Sequence, residues 1–133
     1  MNQCELFPLV DESQPQNSTV SHEVWRTIPG DWQYEYEASS FGRFRRWSRG
    51  RITMLRGSKN HNGYIHIGLS RSGPQPRQRF YLAHRLIGLV FLAKPDTAKY
   101  LVINHKDRNR HNNAVDNLEW VTVSANTKHW RRH

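Results

Sequence analysis

The residue types most able to do chemistry gather in the last third of the chain, in Asn104-His105, Asp107, Asn117, Asn126 and His129. An imidazole with an ordinary pKa of about 6.5 is largely neutral at pH 7 and can take a proton from water. Amide and carboxylate oxygens suit a hard divalent cation. Asn126 and His129 lie three apart, so on a helix they share a face. If a hairpin ahead of that helix packs on it, His105 and Asn126 point into one cleft. Taken singly, each residue also has an ordinary reading: His105 as a surface or structural histidine, Asn117 as a turn or cap residue, Asn126 as an exposed helix amide, His129 as a late-helix cation.

The elements needed to position these groups can be read around them. Leu101-Val102-Ile103 and Glu119-Trp120-Val121 read as strands flanking a polar loop from Lys106 to Asn113 and a turn through Asp116-Asn117-Leu118. A short terminal helix follows, with Thr122 or Ser124 as its N-cap and Lys128, Arg131 and Arg132 late, where the helix dipole favours cations. Upstream, Phe80-Tyr81-Leu82 reads as a short strand, and Ala83 to Leu92 as a buried helix with Leu86, Leu89, Val90 and Phe91 inward, ended by Pro95.

Further back the pattern changes to alternation. Tyr34-Glu35-Tyr36-Glu37, Arg43 to Trp47, Arg51 to Arg56 and Ile65 to Leu69 read as strands, broken by turns at Ile28-Pro29-Gly30 and Ser39 to Gly42 and by a loop from Gly57 to Gly63. Phe44 and Arg46 fall on one face, and Arg43, Arg45 and Trp47 on the other. These strands imply one small twisted antiparallel sheet, apolar on one side and rich in arginine on the other, able to enter a major groove. The fold class is α+β: an N-terminal antiparallel sheet module at 22–79 ahead of a compact unit at 80–133, preceded by a flexible tail at 1–21. Trp25, Trp32, Trp47 and Trp120 read as packing residues.

Charge narrows the partner. The 133 residues carry a net +9. Residues 1–37 hold seven acids and one base, residues 96–133 seven bases and four acids, and residues 38–95 twelve bases and no acid. With no carboxylate in the span, its arginines have no ion-pair partners there, which points to a polyanion. Ten of the twelve are Arg, whose planar fork suits phosphate oxygens and guanine edges. Arg43, Arg45, Arg46, Arg49 and Arg51 are the candidates for contact. The 36% apolar content allows only a modest core, and no stretch approaches the ~20 apolar residues of a membrane helix. The acidic N-terminus does not read as a secretory signal, so a cytoplasmic location is expected. One cysteine, Cys4, permits no internal disulfide and no multi-cysteine zinc site.

The ordered run Ile103-Asn104-His105-Lys106-Asp107, Asn112 through Thr122, and Asn126-Thr127-Lys128-His129 resembles the HNH homing endonucleases. Ala83-His84-Arg85-Leu86-Ile87 is similar to the helix ahead of that motif. Glu23 to Gly30, with Ser40-Phe41-Gly42-Arg43-Phe44-Arg45, looks like the DNA-binding module often found before such nuclease domains. The resemblance implies a ββα-metal fold in which His105 is the general base and Asn117 braces the loop. It implies one divalent ion, Mg²⁺ first and Mn²⁺ second, held by Asn104, Asn126 and His129. It also implies hydrolysis of a phosphodiester bond in duplex DNA, leaving a 5′-phosphate and a 3′-hydroxyl, and a phage or mobile-element origin.

The residue before the base is often aspartate in this family, and Asn104 departs from that. A neutral oxygen holds a hard cation more weakly than a carboxylate. A rival reading is therefore a catalytically silent DNA- or RNA-binding protein of the same fold. Asp107 reads as a solvated loop acid, and His84 as an ordinary helix-start histidine rather than a phosphate contact. Double-stranded DNA is the expected partner, with no membrane and no small-molecule cofactor, for a monomer or a homodimer.

Overall fold

The computed structural model describes residues 22–75, 77–95 and 101–131. The expected flexible tail at 1–21, Cys4 and Arg132 lie outside them. Nine strands and two α-helices are present among the described residues, in an α+β arrangement.

The basic half forms two antiparallel sheets where one was expected. β1 (Trp25–Thr27), β2 (Glu35–Ser39), β3 (Phe44–Ser48) and β4 (Arg51–Leu55) pair in sequence order. β5 (Ser58–Lys59), β6 (Ile65–Arg71) and β7 (Arg77–Leu82) make the second sheet. The chain leaves β4 at Arg56-Gly57 and starts a new pairing, so β4 remains an edge; the β1–β2 connection bridges to the second sheet through Trp32 and Arg71. Alternation marks a strand and its faces but not which strand becomes its neighbour.

β2 shows the pattern as read: Tyr36 and Ala38 are buried while Glu35 is exposed. Arg46, on the face of Phe44, turns toward the core side and lies 4.3 Å over the Tyr34 ring. The loop from Gly57 to Gly63 contains the short β5, and β7 begins three residues earlier than the strand read at Phe80.

α1 (Ala83–Phe91) runs through the centre, contacting β2, β6 and β7 on one side and the C-terminal hairpin on the other. Ala83, His84, Leu86, Ile87 and Gly88 are its buried residues. Leu89 is 58% exposed, a correction to its expected inward position. Ile87 already occupies the inner stripe beside Leu86, which turns Leu89 outward at the helical period.

The hairpin is β8 (Leu101–His105) and β9 (Leu118–Thr122), followed by α2 (Val123–Arg131), which packs on both strands. Of the two N-cap candidates the structure uses Thr122, whose Oγ1 accepts from the Ala125 N–H at 3.1 Å. Ile103 and Leu118 join the core of Ile28, Tyr36, Phe44, Ile67, Leu69, Leu86 and Ile87, so a single core underlies both halves. Trp32 and Trp120 pack against it. Trp25 instead lies under Arg45, and Trp47 donates from Nε1 to Glu37 at 2.9 Å.

Candidate active site

The β8–β9 pair sets Asn104 opposite Glu119 and His105 opposite Leu118. Both site residues at the end of β8 are buried, Asn104 at 2% exposure and His105 at 1%. Asn104 donates from Nδ2 to Glu119 Oε2 at 2.8 Å. That bond settles the amide's orientation, because only its nitrogen can face a carboxylate. Asn104 Oδ1 is consequently turned away from Glu119, buried and without a hydrogen-bond partner.

On α2, Asn126 Oδ1 is likewise buried and without a partner. Two orphaned amide oxygens are costly unless something absent from the chain satisfies them, and a hard cation takes such donors. The residues present therefore fit a divalent ion. His129 lies half-buried on the same helix face. No group of three or more His, Cys, Asp and Glu is clustered among the described residues, so an ion at this position would rest chiefly on the amide oxygens.

His105 is held on three sides. Its Nε2 is 2.8 Å from Asn113 Oδ1, the Tyr64 ring stacks on it at 5.9 Å between centroids, and the His84 ring meets it edge-on at 4.9 Å. With the Asn113 amide oriented oxygen-first, the arrangement is the one in which an Nε2–H donates and Nδ1 is the basic nitrogen. No described residue hydrogen-bonds Nδ1. Burial lowers the His105 pKa below the usual value, against the opposing influence of the Asn113 bond and of Asp107. The imidazole is therefore neutral at pH 7 and ready to accept a proton.

The loop between the strands is tied by its own polar side chains. Asn117 Oδ1 accepts from the Asp107 N–H at 3.0 Å, and its Nδ2 donates to Asp107 Oδ1 at 2.9 Å and to the Asn112 carbonyl at 2.8 Å. Asp107 also accepts from Asn112 Nδ2 and from the Asn109 N–H. Asp107, expected as a solvated loop acid, is thus exposed yet the hub of the loop. The Asn112 bond is the first reason its carboxyl stays below the ordinary range.

Residues 81–128 match the family described as HNH endonuclease, and residues 23–70 match the NUMOD4 motif. Residues 81–128 are an HNH endonuclease domain. It is 30% identical over 113 residues to the uncharacterized HNH endonuclease L247 of Acanthamoeba polyphaga mimivirus, covering 85% of this chain and 27% of that protein. It is 31% identical over 104 residues to the DNA endonuclease I-HmuI of Bacillus phage SP01, covering 78% of this chain and 55% of that one. The solved structure titled "DNA binding and cleavage by the HNH homing endonuclease I-HmuI" aligns with a TM-score of 0.66 at 29% identity, over 82% of this chain and 58% of that chain. The chain thus spans between about a quarter and about a half of the length of these curated relatives.

In this HNH protein the five expected DNA-contacting arginines do not share one environment. Arg43 forms an ion pair with Glu23, which holds that carboxyl below its usual range, and Arg45 pairs with Glu37 at 2.6 Å while lying 3.9 Å over Trp25. The basic span has no carboxylate of its own, as read, but acids from outside it reach two of its arginines: Glu23, just ahead of β1, and Glu37 on β2. Arg46 has turned toward the core side. Arg49 and Arg51 stand exposed at the β3–β4 turn, and neither takes part in a salt bridge among the described residues.

Sequence reasoning passed over Asn113, Glu119, Tyr64 and the proximity of His84 to His105. Glu119 was within reach, since hairpin register places it opposite Asn104 once the strand ends are known. Tyr64 carried no signal, because it arrives from the other half of the chain. The described helices include none long and apolar enough to cross a membrane.

Proposed function

We propose that this HNH protein hydrolyses a phosphodiester bond in double-stranded DNA with the help of one divalent cation. The observation that carries the reading is the end of β8, where Asn104 presents a buried, unsatisfied oxygen next to a buried His105 whose Nε2 lies 2.8 Å from Asn113 Oδ1. Asn104 and Asn126 would hold the ion through Oδ1, with His129 as the further helix ligand; Mg²⁺ suits oxygen donors best and Mn²⁺ is the alternative. When bound, the ion supplies stabilisation of the negative charge that grows on the phosphate and the leaving oxygen. His105 Nδ1 takes the proton of the attacking water, whose oxygen forms the new bond to phosphorus as the bond to the 3′ oxygen breaks and that oxygen takes a proton from solvent to leave as the hydroxyl. Asn117 keeps the loop, and with it His105, in place.

Residues 22–79 grip the duplex and residues 80–133 cut it, as a monomer or homodimer, in the cytoplasm of a cell hosting a phage or mobile element. Arg49 and Arg51 are the leading phosphate contacts, with Arg43 and Arg45 secondary because their charge is partly answered by Glu23 and Glu37. The reading gains support from the resemblance to I-HmuI, whose title names DNA binding and cleavage.

The test is cleavage of supercoiled plasmid and source DNA by wild type and His105→Ala, each with Mg²⁺, Mn²⁺ or EDTA. Nicking or linearisation that needs the metal and vanishes in the variant is expected. If neither protein cuts while both retard DNA equally, the silent binding module replaces the nuclease.

A further inference from the structure

The basic half does more than supply arginines: two of its loops reach the base. The β2–β3 turn is closed by the Gly42 N–H on the Ser39 carbonyl at 2.9 Å, and the Ser39 hydroxyl accepts from the N–H groups of Phe41 and Arg43. This turn docks on the HNH loop, where the Ser40 carbonyl accepts from the Val115 N–H at 2.9 Å. Gly42, at φ +86, lies so close that a Cβ would sit 2.7 Å from the Asn113 carbonyl carbon and 2.8 Å from its oxygen. Asn113 is the residue whose side chain holds His105 Nε2.

The second reach comes from the β5–β6 turn. Asn60 closes it by accepting at Oδ1 from the Asn62 and Tyr64 N–H groups, and Arg110 of the HNH loop donates to the Asn62 carbonyl at 2.6 Å. Tyr64 then lies between Arg110, 4.8 Å over its ring, and the two histidines His84 and His105. The base is thus gripped at its nitrogen through Asn113 and at its ring face by Tyr64, and both grips are backed by residues 39–64.

We infer that Gly42, through Asn113, and Tyr64 are positioning residues that fix the tautomer and plane of His105, so that the DNA-binding half is a structural part of the catalytic site. This rests on the nuclease reading for its kinetic consequence but not for its spectroscopic one. Gly42→Ala pushes on Asn113 backbone; Gly73→Ala is the matched control, since Gly73 also has positive φ and nothing within 4 Å of the added methyl. Both are compared with Tyr64→Leu, Tyr64→Phe and Asn113→Ala in the full chain, by imidazole ¹⁵N NMR and by single-turnover cleavage with duplex affinity measured alongside.

Wild type should show His105 as one Nε2–H tautomer. Gly42→Ala, Tyr64→Leu and Asn113→Ala should move its ¹⁵N resonances toward a tautomer mixture and lower the turnover rate by about 10- to 100-fold with duplex affinity within about twofold. Gly73→Ala should leave the His105 resonances in place, and the ring-preserving Tyr64→Phe should recover them. Unchanged His105 resonances in folded Gly42→Ala and Tyr64→Leu would overturn the inference; if Gly42→Ala fails to fold, Tyr64→Leu decides alone. If wild type cuts no DNA, the nuclease reading fails while the resonances still judge this one.

Discussion

The Asn104 amide donates to the Glu119 carboxylate at 2.8 Å across the β8–β9 pair, leaving the Asn104 oxygen buried and unsatisfied. A carboxylate behind a metal-binding amide orients it and adds negative charge close to the cation, the role usually filled by outer-shell partners of metal ligands. Glu119→Ala is therefore expected to weaken Mg²⁺ and Mn²⁺ affinity by about 10- to 100-fold, read by titration calorimetry, with far-UV circular dichroism unchanged. An affinity equal to wild type would remove Glu119 from the site.

The same pair makes Asn104→Asp informative. A second carboxylate facing Glu119 without a cation brings like charges together in a buried position, and one of the two must hold a proton. The variant should have a lower Tm than wild type in EDTA and a larger rise in Tm on adding Mg²⁺, because an ion that binds only the folded state stabilises it. Scanning calorimetry with and without metal measures both. A Tm that ignores Mg²⁺ in wild type and variant alike would argue against an ion at this position.

His84 lies buried against His105 and Tyr64, and its Nδ1 has no hydrogen-bond partner. Burial first, then the neighbouring His105 and Arg85, push its pKa down to about 4. The unfolded chain binds the proton near the ordinary value of about 6.5, so the folded state is favoured fully above that pH. This stability is lost as pH falls below 6.5, and the loss saturates once pH passes the folded-state value. Between about pH 7.5 and about pH 4.5 urea unfolding should show a loss on the order of 2 to 3 kcal/mol from this group. His84→Gln should lack that component, and an unaltered pH slope would contradict it.

Arg49 sits at φ 53 beside Gly50 at φ 77, in the two-residue turn that joins Ser48 to Arg51. Both left-handed values make this the type I′ hairpin, which favours Asn-Gly over Arg-Gly. Arg49→Asn should stabilise the fold by up to about 1 kcal/mol while weakening binding to duplex DNA, with the salt slope reduced by about 1. Arg43→Ala should change that slope less, because Glu23 already answers its charge. Equal salt slopes for wild type and Arg49→Asn would take Arg49 off the phosphate-contact surface.

Asn117 ties three points of the HNH loop through its side chain and is 9% exposed. Asn117→Ala removes all three bonds and leaves partners short of donors and acceptors, at a cost of about 2 to 3 kcal/mol. Chemical denaturation measures this directly, and a change under about 0.5 kcal/mol would show that the loop is held by other means.

The sequence by itself determined whatever is local in this protein. Period-two alternation marked β2, β3 and β6; the apolar run from Ala83 marked α1; and the hairpin and helix followed from polar breaks between Ile103 and Glu119. The ordered block from Asn104 to His129 was enough to indicate the family, because its spacing is fixed by one strand–loop–strand–helix unit. Only the tertiary structure decided how distant segments meet. It split the basic half into two sheets, brought Glu23 and Glu37 to Arg43 and Arg45, and set Tyr64 and the Gly42 turn against the base. Strand pairing and side-chain packing depend on contacts between residues far apart in the chain, and alternation and spacing carry no record of which partner arrives.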